Sequence, residues 1–189
     1  LIIEDITTTT QRPKVEDLDD YLVIFFKMHY RDGTEGGITG EQISLVVGEN
    51  FVISFREREG DIFNSIKTRI KESKGRIRKM GADYLAYSLL DAVVDNYFIS
   101  LEDLGERIDD LQEEVLENPE AETMEEILSV RRQLIYLRRS VWPLREVINI
   151  LSKAEARLIK EETIIYLKDV YDHIIEIIDA IDVYRDMLS

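Results

Sequence analysis

Carboxylates and a histidine at one-turn spacing are the side chains of this sequence best suited to chemistry. Asp91 and Asp95 punctuate the apolar stretch LLDAVVDNYF, and Asp169 and His173 begin and end DVYDH. Each pair is four residues apart and so shares a helix face. Glu4 and Asp5 make a third acidic spot, enclosed by Ile2, Ile3 and Ile6. Oxygen donors of this kind suit hard divalent cations, and Mg²⁺ keeps most of its waters while taking one or two carboxylates. The same spacing also serves surface carboxylates and hydrogen bonds between helices, so spacing alone leaves both readings open.

Other chemistries lack their residues. The chain has no cysteine, which excludes disulfides, thiolate nucleophiles and zinc–thiolate sites and is compatible with a reducing, cytosol-facing location. It has neither the Gly-x-Ser-x-Gly elbow of a serine hydrolase nor the Glu-x-x-His pairs of a di-iron bundle. The Gly-rich stretch RDGTEGGITG lacks the following Lys-Ser or Lys-Thr of a phosphate cradle and reads as an exposed loop. His29 closes a strand-like run and reads as a packed or edge histidine. A net charge of −15 opposes nonspecific nucleic-acid binding and makes cations the natural partners. No apolar run approaches the roughly 20 residues that cross a bilayer. Nothing here supports an enzyme.

The elements that must position these side chains follow from periodicity. YLVIFFKMHY (21–30) suits a strand buried on both faces, and EQISLVV and NFVISF follow as two more, joined by the hairpin signal GEN. From Asp61 the apolar period becomes 3.6, which predicts a helix capped by Asp61 and stopped by Gly75. A long helix is expected from about 82 to about 117, with Tyr97, Leu101, Leu104, Ile108, Leu111 and Val115 on one seam. ENPEAET turns the chain, and a returning helix carries Ile127, Val130, Leu134, Leu137, Val141, Leu144, Ile148 and Leu151. Two such seams make an antiparallel hairpin, with Pro143 expected to kink its second arm.

Between Glu102 and Glu126 the acids number twelve against Arg107 alone, while Arg131, Arg132, Arg138, Arg139 and Arg145 lie on the returning arm. Cross-hairpin ion pairs are the expected use of those arginines, and the excess acid would concentrate cations at the tip. A last helix carries Ile164, Leu167, Tyr171, Ile174, Ile178 and Ile181 on one stripe. It reaches Ser189 with no Gly cap or Pro stop, so it reads as a helix cut through, and both ends of the chain read as internal edges. The fold class is thus mixed α and β: a partial, mostly antiparallel sheet packed with helices, then a long antiparallel helical hairpin and a C-terminal helix.

IEDI, QRPKVED, GDIFNSIKTRI, ADYLAYSLLDAVVDNYF, RRSVWPLREVINIL and YLKDVYDHIIEIIDAIDVYRDML occur in this order over nearly the whole chain. The set resembles the cytosolic part of the CorA family of magnesium and cobalt transporters. The resemblance implies a homopentamer whose last helix is a stalk that continues into the membrane. It divides the chain into an N-terminally truncated α/β sensor unit (1–80), the helical hairpin (81–158) and the start of the stalk (159–189). The family's two transmembrane helices and its pore-mouth Gly-Met-Asn are not among these residues.

The resemblance also implies regulatory Mg²⁺ sites between subunits, with Co²⁺ as a possible substitute. Asp5 would face Asp169 of the next subunit, and Glu4, Asp91 and His173 would form a second, looser site. Bound cation would hold a closed state, and the chain would lie on the cytoplasmic side of a cell-membrane protein. The alternative is a soluble helical adaptor that uses the same amphipathic helices to bind partner helices; a metal-dependent hydrolase is a further rival.

Overall fold

The computed structural model describes residues 2–31, 37–117, 121–153 and 156–189. Along the chain come α1 (Ile2–Thr7), β1 (Lys14–Asp17), β2 (Tyr21–Arg31), β3 (Ile38–Gly48), β4 (Val52–Arg56), α2 (Asn64–Lys71), α3 (Ala82–Glu117), α4 (Ala121–Leu151) and α5 (Glu161–Met187). The fold class is the mixed α and β arrangement expected. The sheet has the order β1-β2-β3-β4 and is antiparallel throughout.

It therefore has four strands where the sequence suggested three. The additional β1 lies in KVED, an edge strand too short and too charged to show an apolar period. β2 is buried nearly end to end, as its apolar run demanded. Leu22, Ile24, Phe26 and Met28 face the helices and join the main core, while Val23 and Phe25 are buried on the other side. On that second side Gln42 donates to the Asp5 carbonyl (3.3 Å) and accepts from the Gln11 N–H (3.1 Å), so the α1 segment lies against β3.

Three local expectations need correction. α2 begins at Asn64 after Phe63, without a side-chain cap. Asp61 instead accepts from Asn64 in the preceding turn, through its carbonyl (2.8 Å) and its carboxylate (2.7 Å). α2 also ends at Lys71, before Gly75, whose φ of +69° belongs to the following turn. Of the α3 seam, Tyr97 through Leu111 are buried but Val115 is 41% exposed, like every described α3 residue beyond Leu111. α4 is helical from Ala121 to Leu151, with Pro143 inside it as the sequence placed it. The proposed loop at 32–36 and the turn around Pro119 lie outside the described residues.

Among the described residues, no ion pair joins an arginine of α4 to the acidic arm. The cross-hairpin pair among the described residues is Arg107–Glu126 (3.0 Å), with the arginine on α3. Arg138 instead reaches Asp182 of α5 (3.5 Å), and Arg145 pairs with its neighbour Glu146 (2.8 Å). The reason is packing: α4 turns its apolar stripe to α5 as well as α3, so Val130, Leu134, Leu137 and Val141 share one core with Leu167, Val170, Ile174 and Ile181.

Candidate functional site

Two helices and one buried carboxylate set the geometry of the acidic residues. Asp83, in the first turn of α3, is almost fully buried. Its Oδ2 accepts from the Lys160 N–H (3.0 Å) and the Thr163 hydroxyl (2.6 Å), which pins the start of α5 beside the start of α3. From that common origin the two helices run parallel, and farther along Gly105 of α3 leaves room for the Tyr184 ring of α5. At 1.5 Å per residue, Asp91 lies about 12 Å beyond Asp83 and His173 about 15 Å beyond Thr163. The shared start brings them to the same level.

The structure draws Asp91, Asp95 and His173 together, with one ligating atom of each within 4.8 Å of the others. Asp91 is partly buried and accepts from the Tyr87 hydroxyl (3.3 Å), while Asp95 is exposed. Burial raises the Asp91 carboxyl above its usual range, and the neighbouring Asp95 charge adds to that effect. His173 packs against the edge of Phe98, with ring centroids 5.7 Å apart. Its Nδ1 is buried without a hydrogen-bond partner among the described residues. Two carboxylates and an imidazole within reach of one another are a donor set for a divalent cation. The nitrogen inclines it toward cobalt-like metals, and the oxygens serve Mg²⁺.

The remaining predicted residues sit elsewhere. Glu4 and Asp5 are on α1, outside this cluster; Glu4 is exposed, and Asp5 is held by Lys14 (2.8 Å) and Gln11 (3.3 Å). Lys14 also contacts Glu16 at 2.6 Å, so one ammonium bridges two carboxylates. Asp169 lies on the exposed side of α5, near enough for its charge to act on Tyr87 and Asp91. Sequence reasoning placed Asp95 on the Asp91 face but left it out of the ligand set. Its four-residue spacing was the available signal.

Residues 1–189 match the family model described as CorA-like Mg²⁺ transporter protein. The chain belongs to the CorA family. This CorA-family chain is 46% identical, over its whole length, to the cobalt/magnesium transport protein CorA of Thermotoga maritima, of which it covers 54%. It is 24% identical over 178 residues to the protein of the same name from Methanocaldococcus jannaschii, covering 94% of this chain and 55% of that one.

The fold matches the soluble domain of CorA from M. jannaschii with a TM-score of 0.85 at 22% identity, over 98% of this chain and 75% of that one. It also matches the cytoplasmic domain of ZntB from Vibrio parahaemolyticus, with a TM-score of 0.78 at 16% identity, over 99% and 73% of the two chains. The CorA-family chain spans about half the length of the curated relatives it matches. No helix among the described residues is long and apolar enough to cross a membrane.

Proposed function

We propose that this chain is the cytoplasmic, cation-sensing part of a transporter for Mg²⁺ or Co²⁺, and that it works in a homopentamer. The observation that carries the reading is the convergence of Asp91, Asp95 and His173 from two parallel helices. Family membership supports the transport role.

Sensing follows from charge. Carboxylates gathered without a cation repel, and a bound divalent ion removes that repulsion and favours the arrangement that gathers them. Within one chain the cluster fastens α5 to α3. Between chains, Asp5 of one subunit meets Asp169 of the next, with Glu4 extending the Asp91–His173 site. Lys14 makes Asp5 available: a cation that displaces the ammonium leaves it on Glu16, already 2.6 Å away. Abundant cytosolic Mg²⁺ then holds the stalk helices closed, and depletion releases them, with several weak sites adding to a steep response.

The test is Mg²⁺-dependent protection from limited proteolysis, compared between the native chain, Asp5→Asn/Asp169→Asn and Asp91→Asn/His173→Ala. A sensor loses protection in both variants. Equal protection in all three would overturn the reading and favour an adaptor indifferent to cations.

A further inference from the structure

One cleft of this acidic chain is basic. It encloses about 730 Å³ between the segment joining α1 to β1, the middle of α4 and the end of α5. Arg12, Lys27, Arg138, Arg139 and Arg185 line it together with Tyr136 and Trp142, and no carboxylate is among its described lining residues. Asp182 at its margin contacts Arg185 (3.0 Å) and Arg138 (3.5 Å), which offsets part of that charge.

One of these donors lacks an acceptor among the described residues, and two more of the cations are held by no ion pair there. Arg138 Nε is buried near Asp182, outside hydrogen-bonding geometry, and has no partner among the described residues. Lys27 Nζ donates to the Thr9 carbonyl (2.6 Å), and burial lowers its pKa despite the charge of Glu57. No ion pair holds Arg12 or Arg139 among the described residues. Buried or converging cations with spare donors call for an anion with many acceptor oxygens. Guanidinium groups match phosphate through paired N–H bonds, and the volume lies within the range of small-ligand sites.

We propose that this cleft binds a small phosphate-chain anion, of the inorganic triphosphate or nucleoside triphosphate class. Arg138 and Arg139 approach it from α4, Arg12 and Lys27 from the sheet side, and Arg185 from α5. Tyr136 and Trp142 offer ring surface to a base, with Arg138 already 5.0 Å from the Trp142 ring centre. Arg185 lies twelve residues, about 18 Å, beyond His173 on the same helix. An anion here therefore acts on α5 separately from the cation cluster.

The experiment is calorimetric titration of the chain with sodium triphosphate and with ATP in chelator-treated, metal-free buffer, so that it does not depend on the cation sites. The variants are Arg139→Glu and Arg12→Glu, both exposed and expected to fold, with circular dichroism as the check. Each should weaken binding about tenfold or more, the loss expected for one charged hydrogen bond. Equal affinity for the two probes assigns recognition to the phosphate chain, and tighter ATP binding adds the aromatic wall; both support the site. No binding of either probe overturns the proposal. So does unchanged binding in the variants, or an Arg139→Glu effect confined to self-association, which would mark the cleft as a contact for acidic protein segments.

Discussion

Protonation of His29 is the residue-scale event with the clearest sign. The ring is fully buried, its Nε2 is 2.8 Å from Ser140 Oγ, and it stacks on Tyr136. Burial, with help from the Lys27 charge, lowers its pKa from 6.5 to about 4. The unfolded chain then binds the proton more readily than the folded one between these values. Stability is complete above the unfolded pKa and falls as pH drops toward 4, by about 3 kcal/mol for the whole window. His29→Gln should flatten that acid limb in urea titrations from pH 7 to pH 4. A second residue-scale prediction concerns metal preference. His173→Ala should weaken Co²⁺ binding at least tenfold, a loss typical even of outer-shell changes, while Mg²⁺ binding moves far less. Calorimetry with each ion checks it. At this scale the sequence showed the helical pairs, because Asp91/Asp95 and Asp169/His173 are local. It did not show that Lys14 holds Asp5, since that contact depends on the unread strand β1.

Between elements, Asp83 joins the starts of α3 and α5. Its removal leaves the Lys160 N–H and the Thr163 hydroxyl without their carboxylate partner. Asp83→Ala is therefore expected to destabilise the chain by about 2–4 kcal/mol, by analogy with lost charged hydrogen bonds. It should also weaken cation binding at Asp91, Asp95 and His173, 8 or more residues away, because the two helices lose their common origin. Denaturant unfolding and Co²⁺ calorimetry on the same variant measure both effects. The long helices were legible because their apolar period persists for many turns. α1 and β1 were not, since six and four residues are too short for a period to emerge. The cap of α2 was misplaced because Asp61 and Asn64 satisfy one another in a turn before the helix begins. The destination of the α4 arginines depended on α5, a neighbour that pairwise reasoning about a hairpin leaves out.

For the molecule as a whole, a charge of −15 opposes compaction, so counter-ions should stabilise it. Thermal unfolding midpoints should rise with Mg²⁺ beyond the rise from NaCl at equal ionic strength, since screening alone does not join two carboxylates. In Asp5→Asn/Asp169→Asn that excess should shrink, most strongly at high protein concentration, where the proposed contacts between chains would form. The sheet-plus-hairpin plan was readable from period and composition, whereas the basic cleft was not, because its cations come from four separate stretches of chain. The hairpin has a further mechanical consequence. Its root is held by Asp83, by Asn96 donating to the His29 carbonyl (2.8 Å) and by Tyr97 donating to the Lys27 carbonyl. Beyond Leu111, α3 buries no described residue. Leu116 lies about 29 Å beyond Tyr97 along the axis. One degree of rotation about that root thus displaces the far end by about 0.5 Å, while Asp91 and Asp95, inside the held root, stay in place. The arm is a pointer, and a fluorophore at Leu116 would register angular changes at the root that leave Asp91 and Asp95 themselves unmoved.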